Sequence, residues 1–108
     1  MKKIKFEDIK TQMLPVTSTT VELSAYYPDG HAEGPLNEHD FVVKFKKVER
    51  LYVYHNVPYE VVVQVMQADS FKKELLALVE KTYNFTKLVP DEDGYAVVES
   101  THTQKGGV

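Results

Sequence analysis

The chain contains no cysteine, which removes disulfides, thiolate nucleophiles and cysteine-ligated zinc together and is compatible with a reducing cytosol. Long hydrophobic runs are missing as well: no window approaches the ~20 apolar residues that a membrane-spanning helix needs. Met1-Lys2-Lys3-Ile4-Lys5-Phe6-Glu7-Asp8 is basic but has no apolar run behind it, unlike a secretory leader. The expectation is an unexported, cytoplasmic protein with no membrane contact. Positive charge is not in excess either. With 13 Lys and Arg against 16 Asp and Glu, the net charge is -3, whereas a dedicated nucleic-acid-binding domain is normally basic. The five glycines are scattered through predicted loops and the tail and form no phosphate-cradling loop. No nucleophile stands beside a base, and no carboxylate pair sits in an apolar setting. The expectation is therefore a non-enzyme without catalytic residues or cofactor.

What is present suits one small domain over residues 1–108, because 108 residues at 43% hydrophobic content can bury roughly two-thirds of the unfolded surface in a core. Thr20 to Ala25 alternates Val21, Leu23 and Ala25 against Thr20, Glu22 and Ser24, the period of a strand with one buried face. After a Gly- and Pro-containing connection, Asp40 to Lys47 alternates again, and Leu51 to Val57 follows a short turn, which predicts an antiparallel hairpin. Pro58 suits the first turn of a helix, where its missing N–H has no partner in any case. The β-branched run Val61, Val62, Val63, Val65 argues for a strand, yet Val61, Val62, Val65 and Met66 also form a helical stripe. Ser70, or Asp69 beside it, caps a second helix with Phe71, Leu75, Leu78, Val79 and Tyr83 at helical spacing. At the ends, Phe6, Ile9 and Met13 suit a short helix and Tyr95 to Glu99 a last strand, while Gln104 to Val108 should fray.

The order of short motifs adds a resemblance. Ser18, Val43-Lys44-Phe45, Tyr52-Val53-Tyr54, Val57-Pro58, Ala68-Asp69-Ser70 and Tyr83 together resemble the KTSC domain, a module named for its place at the C-terminus of some lysyl-tRNA synthetases and also found free-standing. The likeness covers residues 18–88 and leaves 1–17 and 89–108 as terminal extensions. It decides for helix after Pro58, and it implies an RNA-binding accessory role. The chain departs from the family pattern at Phe71-Lys72, Leu75-Leu76 and Glu80, where Lys-Gly, Phe-Asn and a basic residue are usual. The expected fold is α+β, a three-stranded antiparallel sheet with two helices on one face in the order β-β-β-α-α.

Several constellations bear on function. Tyr52 and Tyr54, at alternate strand positions, share a sheet face and would either stack bases or pack in the core. An even-numbered turn pairs Tyr52 with Phe45 and Tyr54 with Val43, which places the tyrosines under the helices. The same parity puts Val42, Lys44, Lys46, Leu51, Val53 and His55 on the opposite face, a mixed apolar and basic surface. A terminal segment, a second copy of the chain or a protein partner should cover it. Lys44, Lys46, Lys47 and Arg50 suit either phosphates or a solvated hairpin edge. His31, Glu33, His39 and Asp40 match no metal-ligand spacing. Asp91-Glu92-Asp93-Gly94 reads as an acidic turn, because Tyr95, Ala96 and Val97 occupy the places where calcium ligands would follow.

The expected function is a non-catalytic module that binds a protein partner through this outer face, with Val42, Lys44, Lys46, Lys47, Arg50, Leu51, Val53 and His55 as contacts. Small size and acidic loops suggest a regulator or inhibitor of the kind that phages and other mobile elements encode. RNA binding and homo-oligomerisation are the alternatives. A charge at Val53 would, on this reading, leave folding largely intact and abolish the interaction.

Overall fold

A computed structural model describes residues 3–31 and 36–104. Its six strands, β1 (Leu14–Pro15), β2 (Val21–Tyr27), β3 (Asp40–Phe45), β4 (Leu51–Tyr54), β5 (Phe85–Pro90) and β6 (Ala96–His102), lie in sequence order in one antiparallel sheet. A helix α1 (Phe6–Thr11) precedes them, and α2 (Tyr59–Gln67), α3 (Phe71–Glu74) and a π-helical segment (Leu75–Glu80) fall between β4 and β5. The expected three-stranded sheet with helices on one face is thus corrected: the sheet has six strands and both of its faces are covered.

Two cores follow from the strand period. On one face Phe41, Val43 and Tyr54 pack with Val62 and Val65 of α2 and with Phe71, Leu75 and Val79. On the other, Val42, Leu51, Val53 and Leu88 pack with Ile4, Phe6, Ile9 and Met13 of the N-terminal segment and with Leu36. A strand buried on both faces loses the polar alternation that marks a one-sided strand, and β3 accordingly is buried from Asp40 to Lys44.

The β2 reading needs a second correction. Val21 opposes Phe45 while Leu23 opposes Lys44, so a bulge at Glu22 interrupts the alternation. One extra residue turns the strand over, and Val21 joins the helix-side core whereas Leu23 and Ala25 face the N-terminal side. In the hairpin, Tyr52 opposes Val43 and Tyr54 opposes Phe41. The face is as the even turn requires, but the pairs lie two residues away from those expected: Lys44 opposes Leu51, and the longer connection between them carries Lys47 in a left-handed conformation (φ 66°).

Pro58 stands at the N-cap of α2 with φ -63°, and the Ser70 hydroxyl accepts from Lys73 N at 3.3 Å, closing an otherwise orphaned donor at the start of α3. Of the expected α2 stripe, Val62 and Val65 are buried and Met66 is exposed. The predicted single second helix is instead α3 running into the π-helical segment.

The N-terminal segment is held by the acidic turn. Asp91 Oδ1 accepts from Asp93 N at 2.9 Å and Tyr95 N at 2.8 Å, and Gly94 takes a φ of 88° that costs an L side chain strain. Gly94 O then accepts from Phe6 N at 2.8 Å, and Ile4 O from Ala96 N at 2.9 Å. Lys5 donates to Asp93 O at 2.7 Å. These bonds deliver Phe6 and Ile9 to the sheet. Glu33 and residues 105–108 of the stretch expected to fray lie outside the described residues, and Gln104, at its start, is instead held by Asn84 and Glu80. No helix among those described is long and apolar enough to cross a membrane.

Candidate functional site

The outer sheet face chosen from the sequence is occupied by the chain itself. Val42, Leu51 and Val53 are at most 1% exposed and belong to the core under Phe6, Ile9 and Leu36. They are packing residues, because an apolar row flanked by a six-residue amphipathic segment buries most area by receiving it.

The basic cluster is divided by its surroundings. Lys44, 3% exposed, runs its stem across the covered face and donates from Nζ to Glu22 Oε1 and, at 3.3 Å, to Phe45 O. This bond from Lys44 holds the Glu22 carboxyl below its ordinary value of 4.5. A lowered folded-state pKa contributes stability above the unfolded value, and that stability disappears as pH falls through the folded one. We therefore expect the stability difference between the wild-type protein and Glu22→Gln to be constant near neutrality and to vanish on acidification below about pH 4.5. Urea melts at a series of pH values check this, and a difference that survives to about pH 2.5 would show that the pair is not coupled to folding.

Arg50 lies against Glu99 of β6, with Nε 2.8 Å from Oε1 and Nη2 donating to Oε2 at 3.2 Å. Only Lys46 and Lys47 of the four remain exposed without an ion pair among the described residues. His55 is committed too: its Nδ1 is 2.9 Å from Asp40 Oδ1 and its Nε2 2.7 Å from Thr86 Oγ1. Asp40 is fully buried, and its Oδ2 accepts from Asn37 N at 2.7 Å. The carboxylate–imidazole–hydroxyl chain ties β3, β4 and β5 together. Thr86 is buried at one end of this chain, and the bonds cross-link the strands.

Beneath the helices, the register aligns an aromatic row across five strands: Tyr26, Phe41, Tyr54, Phe85 and His102. Tyr54 is fully buried and donates to Glu80 Oε1 at 3.1 Å. Burial, followed by the neighbouring Glu80 carboxylate, pushes the Tyr54 phenol above its ordinary value, so it remains a hydroxyl donor. Tyr52 is half-buried and meets Phe45 edge-on at 5.1 Å. Tyr83 packs at the margin of the same core.

Among the open surfaces is the edge of β6, where every residue after Ala96 is exposed and Val97 and Val98 are 37% and 55% accessible. The opposite edge, β1, is two residues long and ends in Pro15, a short and self-limiting edge. β6 is seven residues long, carries neither Lys nor Pro, and its one carboxylate is neutralised by Arg50. The N-terminal segment covers the start of this edge, where Ala96 N donates to Ile4 O, and beyond it the register is irregular at Glu99, between Val98 and Ser100. Another open surface is a cleft of about 530 Å³ lined by Tyr52, Glu80, Lys81, Phe85, Lys87, His102 and Gln104.

The signals for these residues are short. Phe85, Thr86, Lys87 and Leu88 alternate, but so briefly after a helix that the period does not distinguish a strand from a loop. Among the described residues no group of His, Cys, Asp and Glu side chains gathers to hold a metal ion. Neither a protein-family model nor a curated protein matches the chain.

Proposed function

We propose that the chain is a non-catalytic protein-interaction module that captures an extended segment of a protein partner on the free edge of β6. The observation that carries this reading is the exposed stretch of β6 beyond Ala96. An exposed strand offers a row of unpaired backbone donors and acceptors, and a partner strand satisfies them while its apolar side chains cover Val97 and Val98. A regulator or inhibitor acting in this way needs no catalytic group. The KTSC resemblance of residues 18–88 favours an accessory role as well. RNA binding through the hairpin has less support, since Lys44 and Arg50 are each paired with a carboxylate and contribute little to a phosphate site.

The test is capture from the source lysate by the immobilised protein, with and without nuclease, for the wild type and for the double substitution Val98→Lys, Thr101→Lys. Both positions are exposed, so stability should change by less than about 0.5 kcal/mol. The lysines should abolish nuclease-resistant capture, because charge along an edge blocks strand addition. Capture that is unchanged at unchanged stability overturns the assignment. A wild-type dimer in sedimentation that becomes monomeric in the variant identifies the partner strand as β6 of a second copy.

A further inference from the structure

The cleft beside β6 is built differently from the strand edge and carries its own chemistry. The helical layer stops short of the last strands, so the aromatic row emerges from under it. Phe85 is 7% exposed, and His102, an exposed residue, lies on it as a stacked pair with ring centroids 4.8 Å apart and planes 24° apart. Tyr52 continues the tier, 5.9 Å from Phe85 at 33°. Lys87 Nζ stands 5.5 Å over the Tyr52 ring, and Lys81 lines the opposite wall at the end of the π-helical segment. Neither lysine forms an ion pair with a carboxylate among the described residues.

The polar groups of the cleft are held in place. Gln104 Nε2 donates to Glu80 O and, at 3.3 Å, to Tyr83 O, while Gln104 N donates to Asn84 Oδ1 at 2.8 Å. With its amide nitrogen committed, the Gln104 side chain has its carbonyl oxygen left as an acceptor. The Tyr54 hydroxyl occupies one oxygen of Glu80, which leaves the other able to accept from an amine or hydroxyl.

A flat aromatic tier, two unpaired cations on the rim and two fixed acceptors suit a ligand with a planar ring, an exocyclic donor and an attached anion. We propose that this cleft binds a mononucleotide unit, its base stacked on the open side of His102 and Tyr52, with Phe85 beneath them, and its phosphate between Lys81 and Lys87. A free nucleotide and one residue of a single strand share this chemistry. The site does not depend on strand capture at the β6 edge.

Titration with adenosine monophosphate, adenosine and a six-residue oligoadenylate, followed by NMR of the aromatic side chains at low salt, tests it. Saturable shifts of Tyr52, Phe85 and His102 with the monophosphate are expected, with adenosine about tenfold weaker. The exposed substitutions His102→Ala and Lys81→Ala with Lys87→Ala should each weaken binding about tenfold or more without altering the remaining spectrum. An oligoadenylate that binds more tightly than the monophosphate, with a steep salt dependence, identifies a strand as the source. Equal affinity identifies the free nucleotide. Absence of shifts at these three rings with both phosphorylated probes at millimolar concentration overturns the proposal, as does binding unaffected by all of the substitutions.

Discussion

Tyr54→Ala is expected to destabilise the protein by about 3–5 kcal/mol, the cost of emptying a large aromatic site in a core that relaxes only partly. Tyr54 is fully buried, opposes Phe41 on one side and Phe85 on the other, and lies 5.3 Å from the Phe85 ring. It therefore joins the helix-side core to the outer strands. Tyr54→Phe separates packing from polarity: it keeps the ring and removes only the bond to Glu80, so it should cost about 1 kcal/mol. Denaturant melts of both variants provide the check. A loss below about 0.5 kcal/mol for Tyr54→Ala would mean that the tyrosine is not a core residue.

Val53→Glu should be the more damaging change, with a loss of about 4 kcal/mol or more, enough to unfold many domains of this size. Val53 is 1% exposed among Phe6, Ile9, Leu36 and Leu88, and a carboxylate there loses its hydration without gaining a partner. The protein-partner reading of the sequence expects such a charge to be tolerated, because it takes this face as a docking surface, whereas its alternative, cover by a terminal segment, is what the packing of Phe6 and Ile9 bears out. The N-terminal cover reverses the expectation. A circular-dichroism melt separates the two cases: a cooperative transition at the wild-type temperature would show that the segment around α1 does not seat on the sheet.

The elements that are legible along the chain are those whose signal is local. The Ser70 cap and the common face of Tyr52 and Tyr54 each depend on residues a few positions apart, where backbone geometry alone sets the outcome. Strand β5 is different. Phe85 to Pro90 alternates too briefly to declare itself, and it becomes a strand by pairing with Leu51 to Tyr54, more than thirty positions earlier. The bulge at Glu22 is equally silent, although it assigns Val21 and Leu23 to opposite cores.

Composition and local period by themselves determined a small α+β chain without cysteine chemistry, its central hairpin, and the helical stretch after Ser70, whereas the stretch after Pro58 read as strand or helix on period alone and only the resemblance to the KTSC motif order decided for helix. Tertiary structure alone decided which surfaces are free. A six-residue helix such as α1 is too short to persist in isolation, so it exists because Phe6 and Ile9 are buried against Val42, Leu51 and Val53. The same long-range geometry joins Glu22 to Lys44 and Arg50 to Glu99, across 22 and 49 positions, removing charge from a cluster that looks basic in one dimension. Burial and charge pairing are set by neighbours in space, and the chain's own order does not name them.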